Sequence, residues 1–238
     1  MRALLLAAGL GTRLRPITDF TPKCLVKIGN KPLLQIWLER LTDAGFGPFL
    51  INTHYLADQV NLFVEKSPCR EKIKLVHESQ LLGTAGTLLE NLDFFNDENL
   101  MLIHADNYCL ADLAEFKDAH MNRPIGCVIT MMTFHTDDPV SCGIVELDDN
   151  GIVIRYHEKV ENPPGNLANA AVYILEPAVI NFIKELRDNI IDFSTQVLPH
   201  FLGRINTYHN EIYHRDIGNI QSLTTAQLEC YKRSETKN

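Results

Sequence analysis

The chain has 238 residues, 45 % of them apolar, with a formal net charge of −8. That length suits one large α/β domain, or two small ones, around a substantial core. The acidic balance excludes a protein that works on bulk nucleic acid through a basic face, so any phosphate it handles must be met by a few placed cations.

Strand and helix patterns alternate from the start. Ala3–Ala7 is a continuous apolar run, as in a strand covered on both faces. Pro32–Ala44 carries Leu33, Leu34, Trp37, Leu38 and Leu41 at helical spacing, with Gly45 as the residue after the helix end. Phe49–Asn52 reads as a strand, Ala57–Glu65 as a helix, Ile73–His77 as a strand, Thr84–Leu92 as a helix, and Leu100–His104 as a strand leading to Asp106. Ala111–His120 is helical in pattern. Gly126–Phe134, Gly143–Leu147, Ile152–Glu158 and Ala170–Leu175 read as strands broken by turn signals such as "DDNG". Pro177–Arg187 is a helix with Pro in its first turn. Short strands at Ile205–Tyr208 and Glu211–Tyr213 follow, then a helix over Gln221–Lys232 capped by Asn219 or Ser222, and a frayed tail "KRSETKN". The expected fold class is α/β: a parallel βαβα first half, a second half that adds antiparallel strands, and one domain over 1–238.

Six cysteines are scattered without a CxxC pair, and no His cluster has zinc spacing, which points to buried thiols in a reducing compartment. The short apolar stretch after Arg2 runs into Gly-Thr-Arg with no cleavage site, and no run approaches the roughly 18 apolar residues of a membrane helix. A soluble cytoplasmic protein is expected.

The first chemical signal is "AAGLGTRLRPITDFTP", Ala7 to Pro22, followed at once by Lys23. A glycine-rich turn after a strand reads as a phosphate site, because bare backbone lets N–H groups approach an anion. Leu14 stands where a dinucleotide fingerprint needs its third Gly, and no GK[ST] follows as in a Walker loop. The pattern is G-x-G-T-R-x-R-P with Pro-Lys after a gap. Arg13 can offer a fork and Lys23 a point charge to a triphosphate.

"LAAGLGTRLRPITDFTPKCLVKIGNKPLL" resembles, over some thirty residues, the signature of the sugar-1-phosphate nucleotidylyltransferases, or NDP-sugar pyrophosphorylases, whose pattern is close to LAxGxGTRLxPLTxxxPKxLxxxxxKPLI. Guanylyltransferase-like members without a C-terminal β-helix are the nearest in character. The resemblance implies a Rossmann-like three-layer sandwich with a mixed, mainly parallel sheet and a small antiparallel lobe for the acceptor. Residues 1–110 would form the nucleotide half and 111–238 the sugar-phosphate half. It also implies that Leu6, Ala8, Gly9, Gly11, Thr12 and Arg13 line the nucleotide phosphates, with Lys23 beside the α-phosphate.

In "HESQLLGTAGTLLENL" the LGTAG motif resembles the family's base and ribose site, with Gly83 against the base and Thr84 opening the helix. Glu78 falls where the family reads the base edge. A carboxylate accepts two hydrogen bonds and guanine offers two adjacent donors, so Glu78 favours GTP; its bland reading is a solvated strand-end carboxylate. In "MLIHADNY", Asp106 lies past a strand end, where open α/β sheets bind ligands. Alone it reads as a helix N-cap; the resemblance implies a metal ligand, with Asn107 positioning ligand or loop.

The second half resembles the family's acceptor motifs. "SCGIVELDDNGIV" is similar to YGVVExDxxGxV and brings Gly143 to the sugar. "YHEKVENP" is similar to FxEKP, giving Glu158 to sugar hydroxyls and Lys159 to the sugar phosphate. "NLANAAVYIL" is similar to xxNAGIYxF and puts Asn169 on the sugar. "YHRDIGNIQSL" is similar to WxDIGTPxxL, with Asp216 as a second metal carboxylate; alone, Asp216 reads as a cap for the last helix. Cys142, Val160, Ala171 and Asn219 depart from the family pattern, all on the acceptor side or in the lobe that builds it.

The resemblance thus implies transfer of a nucleotidyl group from an NTP to a sugar 1-phosphate, releasing pyrophosphate. Arg13, Lys23 and Asp106 would be catalytic, and one Mg²⁺ would sit on Asp106 and Asp216. Mannose 1-phosphate and heptose 1-phosphate with GTP are the leading pairs, in cell-surface glycan synthesis. No hexapeptide repeat of the kind many relatives carry follows the core, so no appended acyltransferase is expected, and any oligomer, a homodimer among the options, forms through the core. Two rivals stand beside this reading. One is a cytidylyl- or uridylyltransferase for another phosphorylated acceptor such as phosphocholine, which should lack the E-K and N-A-x-x-Y motifs. The other is a catalytically silent nucleotide-sugar-binding subunit, which should have lost a cation or metal ligand.

Overall fold

The computed structural model describes residues 1–95, 97–186 and 191–235. In chain order its elements are β1 (Arg2–Leu6), β2 (Lys27–Ile28), β3 (Lys31–Pro32), α1 (Leu33–Asp43), β4 (Phe49–Thr53), α2 (Ala57–Glu65), β5 (Ile73–His77), α3 (Gly83–Glu90), α4 (Leu92–Phe95), β6 (Leu100–His104) and β7 (Asn107–Cys109). There follow α5 (Leu113–Met121), β8 (Ile129–His135), β9 (Gly143–Leu147), β10 (Val153–Glu158), β11 (Leu167–Leu175), α6 (Pro177–Leu186), α7 (Phe193–Gln196), β12 (Ile205–His209), β13 (His214–Asp216) and α8 (Ile220–Glu235).

The chain packs as two compact units, each discontinuous in sequence. One comprises Leu4–Leu81, His104–Leu110 and Tyr213–Asn238; the other comprises Met1–Ala3, Leu82–Ile103 and Ala111–Ile212. Among the described residues the strands form a nine-stranded mixed sheet and two small ribbons, so the architecture is the α/β class expected. Among the described residues no helix is long and apolar enough to cross a membrane.

In the first unit β4 and β5 pair in parallel, and every residue of β4 is buried, as its unbroken apolar run requires. Helix α1 buries the expected stripe of Leu33, Leu34, Trp37, Leu38 and Leu41. It ends in a Schellman arrangement: Gly45, at φ +74°, donates to the Thr42 carbonyl, and Phe46 donates to Leu41. The small ribbons, β2 with β3 and β7 with β13, also lie here.

In the second unit β11 is the hub. It pairs antiparallel with β6, β8 and β9, while β10 lies antiparallel on β9 and β12 parallel on β8. A register shift interrupts β11 between Asn169 and Tyr173. Ala171, in that shift, has φ +53°. This is the left-handed region where the resembled motif has Gly, so the departure at this position carries a backbone cost.

After the glycine turn come three short 3₁₀ turns at Thr12–Leu14, Ile17–Asp19 and Lys23–Leu25, kept short because Pro16 and Pro22 cannot continue a helix. Other elements differ from expectation. The strand expected at Glu211–Tyr213 forms at His214–Asp216, where β7 offers it a partner. The last helix runs on to Glu235, through most of the expected frayed tail, whose final three residues lie outside the described residues, as does Arg187 of the expected Pro177–Arg187 helix.

Candidate active site

Four of the expected groups come together in the first unit. Lys23 Nζ donates to Asp106 Oδ2 at 2.5 Å and to Asp216 Oδ1 at 3.4 Å. Arg13 is close enough to oppose the Lys23 charge. A Cβ built on Gly218 would lie 2.7 Å from Asp216 Oδ2 and 3.3 Å from Arg13 Nη2, so Gly218 leaves the space between those two side chains open.

One apolar cluster explains this convergence. Leu14, Val26, Ile28, Leu33, Tyr108, Ile217, Leu223 and Ala226 pack together in the same unit. Leu14 follows Arg13, Val26 lies three residues after Lys23, Tyr108 two after Asp106, and Ile217 follows Asp216. Each charged residue therefore rides on a neighbour that is pulled inward. Burying side chains such as Leu14 and Ile217, both fully inaccessible, contributes about 1.5–3 kcal/mol each. Leu14, which breaks the dinucleotide fingerprint, is an anchor of the glycine turn. The single Trp adds a second tie: Trp37 Nε1 donates to the Asn107 carbonyl at 2.9 Å, fixing α1 to β7 beside Asp106.

Neither Asp is a helix cap. Asp112 caps α5 by accepting from the Ala114 and Glu115 N–H groups. Asn219 caps α8: Ser222 N–H donates to Asn219 Oδ1 at 2.8 Å, and Asn219 N–H donates back to Ser222 Oγ at 3.1 Å. The Asn that departs from D-I-G-T is thus a capping residue, and Asp216 sits at the end of β13 opposite Asn107.

Burial works against the Lys23 charge, but Asp106 and Asp216 outweigh it and hold the ammonium above its ordinary range. Burial likewise opposes charge on Asp106, and Lys23, His104 and its hydrogen bonds carry that carboxyl below its ordinary range. Both shifts favour the charged forms, so Lys23 and Asp106 face each other as ammonium and carboxylate at neutral pH.

The glycine turn has two kinds of glycine. Gly11 adopts φ +63°, and a Cβ there would stand 2.9 Å from Thr18 Cγ2 and 3.3 Å from Lys23 Cβ. Its carbonyl accepts from Thr18 Oγ1 at 2.7 Å. Gly9 is exposed, and a Cβ there would meet nothing within 4 Å. No protein neighbour calls for its small size. Leu6 ends β1, Ala8 is buried, and Thr12 opens the first 3₁₀ turn.

Glu78 is not the solvated carboxylate of the bland reading. It is 5 % exposed, and its Oε1 accepts from Asn52 Nδ2 at 2.8 Å. Asn52 Oδ1 in turn accepts from the Ala7 N–H at 2.7 Å, at the root of the glycine turn. Asn52 escaped sequence reading, because an Asn at the end of an apolar strand is indistinguishable from turn chemistry until its partners are known.

The remaining expected residues lie in the second unit. Gly83 and Thr84 open α3 as foreseen, at φ +76° for Gly83, and their close protein neighbours lie in the 191–193 segment. A Cβ on Gly83 would fall 2.3 Å from the Ile191 carbonyl oxygen, and Thr84 Oγ1 accepts from the Phe193 N–H at 2.7 Å. The packing of the 191–193 segment therefore accounts for the glycine expected to lie against a base.

Gly143, Glu158, Lys159 and Asn169 gather on β9, β10 and β11. Glu158 accepts from the Tyr156 hydroxyl and pairs with Lys159 Nζ at 3.1 Å. Asn169 Nδ2 donates to Tyr173 Oη at 2.6 Å, and Asn169 Oδ1 accepts from the Ala171 N–H at 2.9 Å. A Cβ on Gly143 would collide with the Tyr156 hydroxyl at 2.2 Å, so this glycine makes room for a tyrosine rather than for a ligand alone.

Known proteins are similar to this chain over most of its length. The mannose-1-phosphate guanylyltransferase catalytic subunit beta of Drosophila melanogaster is 33 % identical over 220 residues, covering 91 % of this chain and 57 % of that protein. The chain spans 57–61 % of the length of the first curated relatives it matches. HddC from Yersinia pseudotuberculosis, solved with GMP-PN, superposes with a TM-score of 0.79 at 25 % identity, over 96 % of this chain and 98 % of that one. A UDP-glucose pyrophosphorylase solved with UDP-glucose superposes at 0.82 and 23 % identity, over 98 % of each chain, and shares the fold. The nucleotidyl transferase family model matches residues 2–233, and the chain belongs to that family.

Proposed function

We propose that the protein transfers a nucleotidyl group from an NTP, with GTP preferred, to a sugar 1-phosphate, forming an NDP-sugar and pyrophosphate. The observation that carries this reading is the convergence of Arg13, Lys23, Asp106 and Asp216 in one unit, beside a glycine turn whose exposed Gly9 has no protein neighbour to explain it. A silent binding subunit would have no reason to keep all four. The GTP preference draws on the guanylyltransferase relative, on the GMP-PN complex of HddC, and on a carboxylate at Glu78.

In the mechanism, an oxygen of the sugar phosphate attacks the α-phosphorus in line; the new P–O bond forms as the bond to pyrophosphate breaks. The nucleophile is already an anion, so no strong base is needed and catalysis is positioning plus charge neutralisation. Turn amides at Gly9, Gly11 and Thr12, with Arg13, hold the β- and γ-phosphates and the leaving group, and Leu6 and Ala8 flank them. Lys23 lies at the α-phosphate. Glu78, Gly83 and Thr84 serve the base and ribose, and Asn107 orders the strand behind Asp106. On the acceptor side, Lys159 holds the sugar phosphate while Glu158, Asn169 and Gly143 meet the sugar.

A magnesium ion fits the donor set. Asp106 and Asp216 are hard oxygen donors reached by the same ammonium, and among the described residues no group of three or more His, Cys, Asp or Glu converges as a closed structural site would require. Mg²⁺ accepts one or two carboxylates when phosphate oxygens and water complete its shell. When bound, it would supply charge neutralisation at the phosphates. A reducing cytoplasm suits the six cysteines, none of which is in a disulfide.

The test is a matrix of four or five NTPs against a panel of sugar 1-phosphates, read by pyrophosphate release. GTP with mannose 1-phosphate or heptose 1-phosphate should turn over fastest. No pyrophosphate from any pair would overturn the reading.

A further inference from the structure

The sugar-side cluster contains a residue that no motif singles out. Tyr156 stands on β10 two residues before Glu158, where the resembled pattern F-x-E-K-P has Phe. Its hydroxyl gives its one hydrogen to Glu158 Oε2 and accepts from Asn169 Nδ2 at 3.4 Å. The other Asn169 hydrogen goes to Tyr173, which is fully buried. Gly143 leaves the space this hydroxyl fills. Burial, with Tyr173 and Glu158 close by, pushes the phenol well above its ordinary range, so it remains a donor at any working pH.

An Asn amide has two N–H donors, an ionised carboxylate has none, and a tyrosine hydroxyl has one. With these bonds made, Glu158 and Asn169 have no hydrogen left to offer a ligand; they offer lone pairs. The donor beside them is Lys159, whose ammonium pairs with Glu158 Oε1 but whose side chain is 62 % exposed and can swing to a phosphate. Replacing Tyr156 by the Phe of the pattern would return one N–H of Asn169 to the ligand and release the Glu158 carboxylate from its fixed plane.

We propose that Tyr156 is a positioning residue that leaves Glu158 and Asn169 able only to accept hydrogen bonds, with no donor for an acetamido carbonyl, so that they select sugar 1-phosphates presenting free hydroxyl groups over those carrying an acetamido group. The proposal rests on Glu158 and Asn169 holding the acceptor, as in the function proposed above.

The experiment compares wild-type protein with Tyr156→Phe, using mannose and glucose 1-phosphates and their 2-acetamido counterparts, in the full chain with GTP or whichever NTP the matrix selects. Wild type should favour the hydroxyl form at least about tenfold in kcat/KM. The variant should raise the KM for the hydroxyl form about tenfold, the equivalent of one charge-assisted hydrogen bond, narrow the preference, and leave the NTP KM unchanged. In a Glu158→Ala background, Tyr156→Phe should raise the KM for the hydroxyl form no further, since that loss runs through Glu158, while the N–H returned by Asn169 acts on the preference. Unchanged acceptor KM and preference in Tyr156→Phe, or additive losses in the double variant, would overturn the proposal. If the variant does not fold, the wild-type preference decides alone, and its absence is equally fatal. Wild type that releases no pyrophosphate with any sugar 1-phosphate sinks instead the reading beneath.

Discussion

Asn52→Ala probes the link between strand β4 and the glycine turn. Asn52 is 3 % exposed, and its buried bonds include one accepted from the Ala7 N–H at 2.7 Å and one donated to Glu78 Oε1 at 2.8 Å. A neutral bond of this kind contributes about 1 kcal/mol net and one to a carboxylate about 1.5–3 kcal/mol. The truncation also takes the acceptor from a buried N–H, so the loss is about 3 kcal/mol. For a chain of this size each kcal/mol moves Tm by about 2–4 °C, so melting should fall by about 6–12 °C. The NTP KM should rise with it, because Ala7 is the root of the turn that would hold the phosphates. Asn52→Asp supplies a sharper arm. It keeps an acceptor for Ala7 but sets a second carboxylate against Glu78; like charges at contact raise the pKa of one of them. Its deficit in Tm should therefore be full at pH 7 and shrink on acidification, as the raised carboxyl takes up a proton and the repulsion ends. Differential scanning calorimetry at pH 7 and pH 5 reads both arms. Melting of Asn52→Ala within 2 °C of wild type would refute the reasoning.

Three further outcomes follow from the same geometry. Lys23→Ala or Asp106→Ala should cut turnover at least about a hundredfold, the scale for one preorganised charge, and normal pyrophosphate release in either purified variant would reject the catalytic assignment. Gly9→Ala and Gly11→Ala should separate ligand from fold. The open Gly9 position should keep its Tm while the NTP KM rises, whereas Gly11, at φ +63° against Thr18 and Lys23, should lose several degrees. His120 is fully buried, with Nδ1 on Thr130 Oγ1 at 2.9 Å, and burial, aided by Arg123, lowers it from 6.5 to about 3. The folded chain then binds fewer protons than the unfolded one between those values. The contribution is present above pH 6.5 and is lost as pH falls toward 3, so His120→Gln should flatten the Tm–pH slope over that window.

Much of the first unit could be read directly. The spacing of Leu33, Leu34, Trp37, Leu38 and Leu41 fixes a helix and its buried face, and Gly45 its end, because helical geometry leaves those residues one side to share. Helix α2, strands β5, β6 and β9 fall where the local pattern puts them. Arg13, Lys23, Asp106 and Asp216 were named from motifs. Chain order could not say that the last two escape helix capping, since an Asp after a strand has the same local chemistry in either role. That depended on Asp112 and Asn219 taking the caps.

What the sequence determined by itself was the class of elements and the identity of the charged groups, because periodicity and residue chemistry act over a few neighbouring positions. The tertiary structure alone decided the meaning of partners far apart in the chain. Asn52 joins Ala7 to Glu78, Ile191 accounts for Gly83, and Tyr156 accounts for Gly143. Hydrogen bonds and close contacts depend on distances that only packing sets, and no local pattern encodes which distant atom will occupy the space a missing side chain leaves.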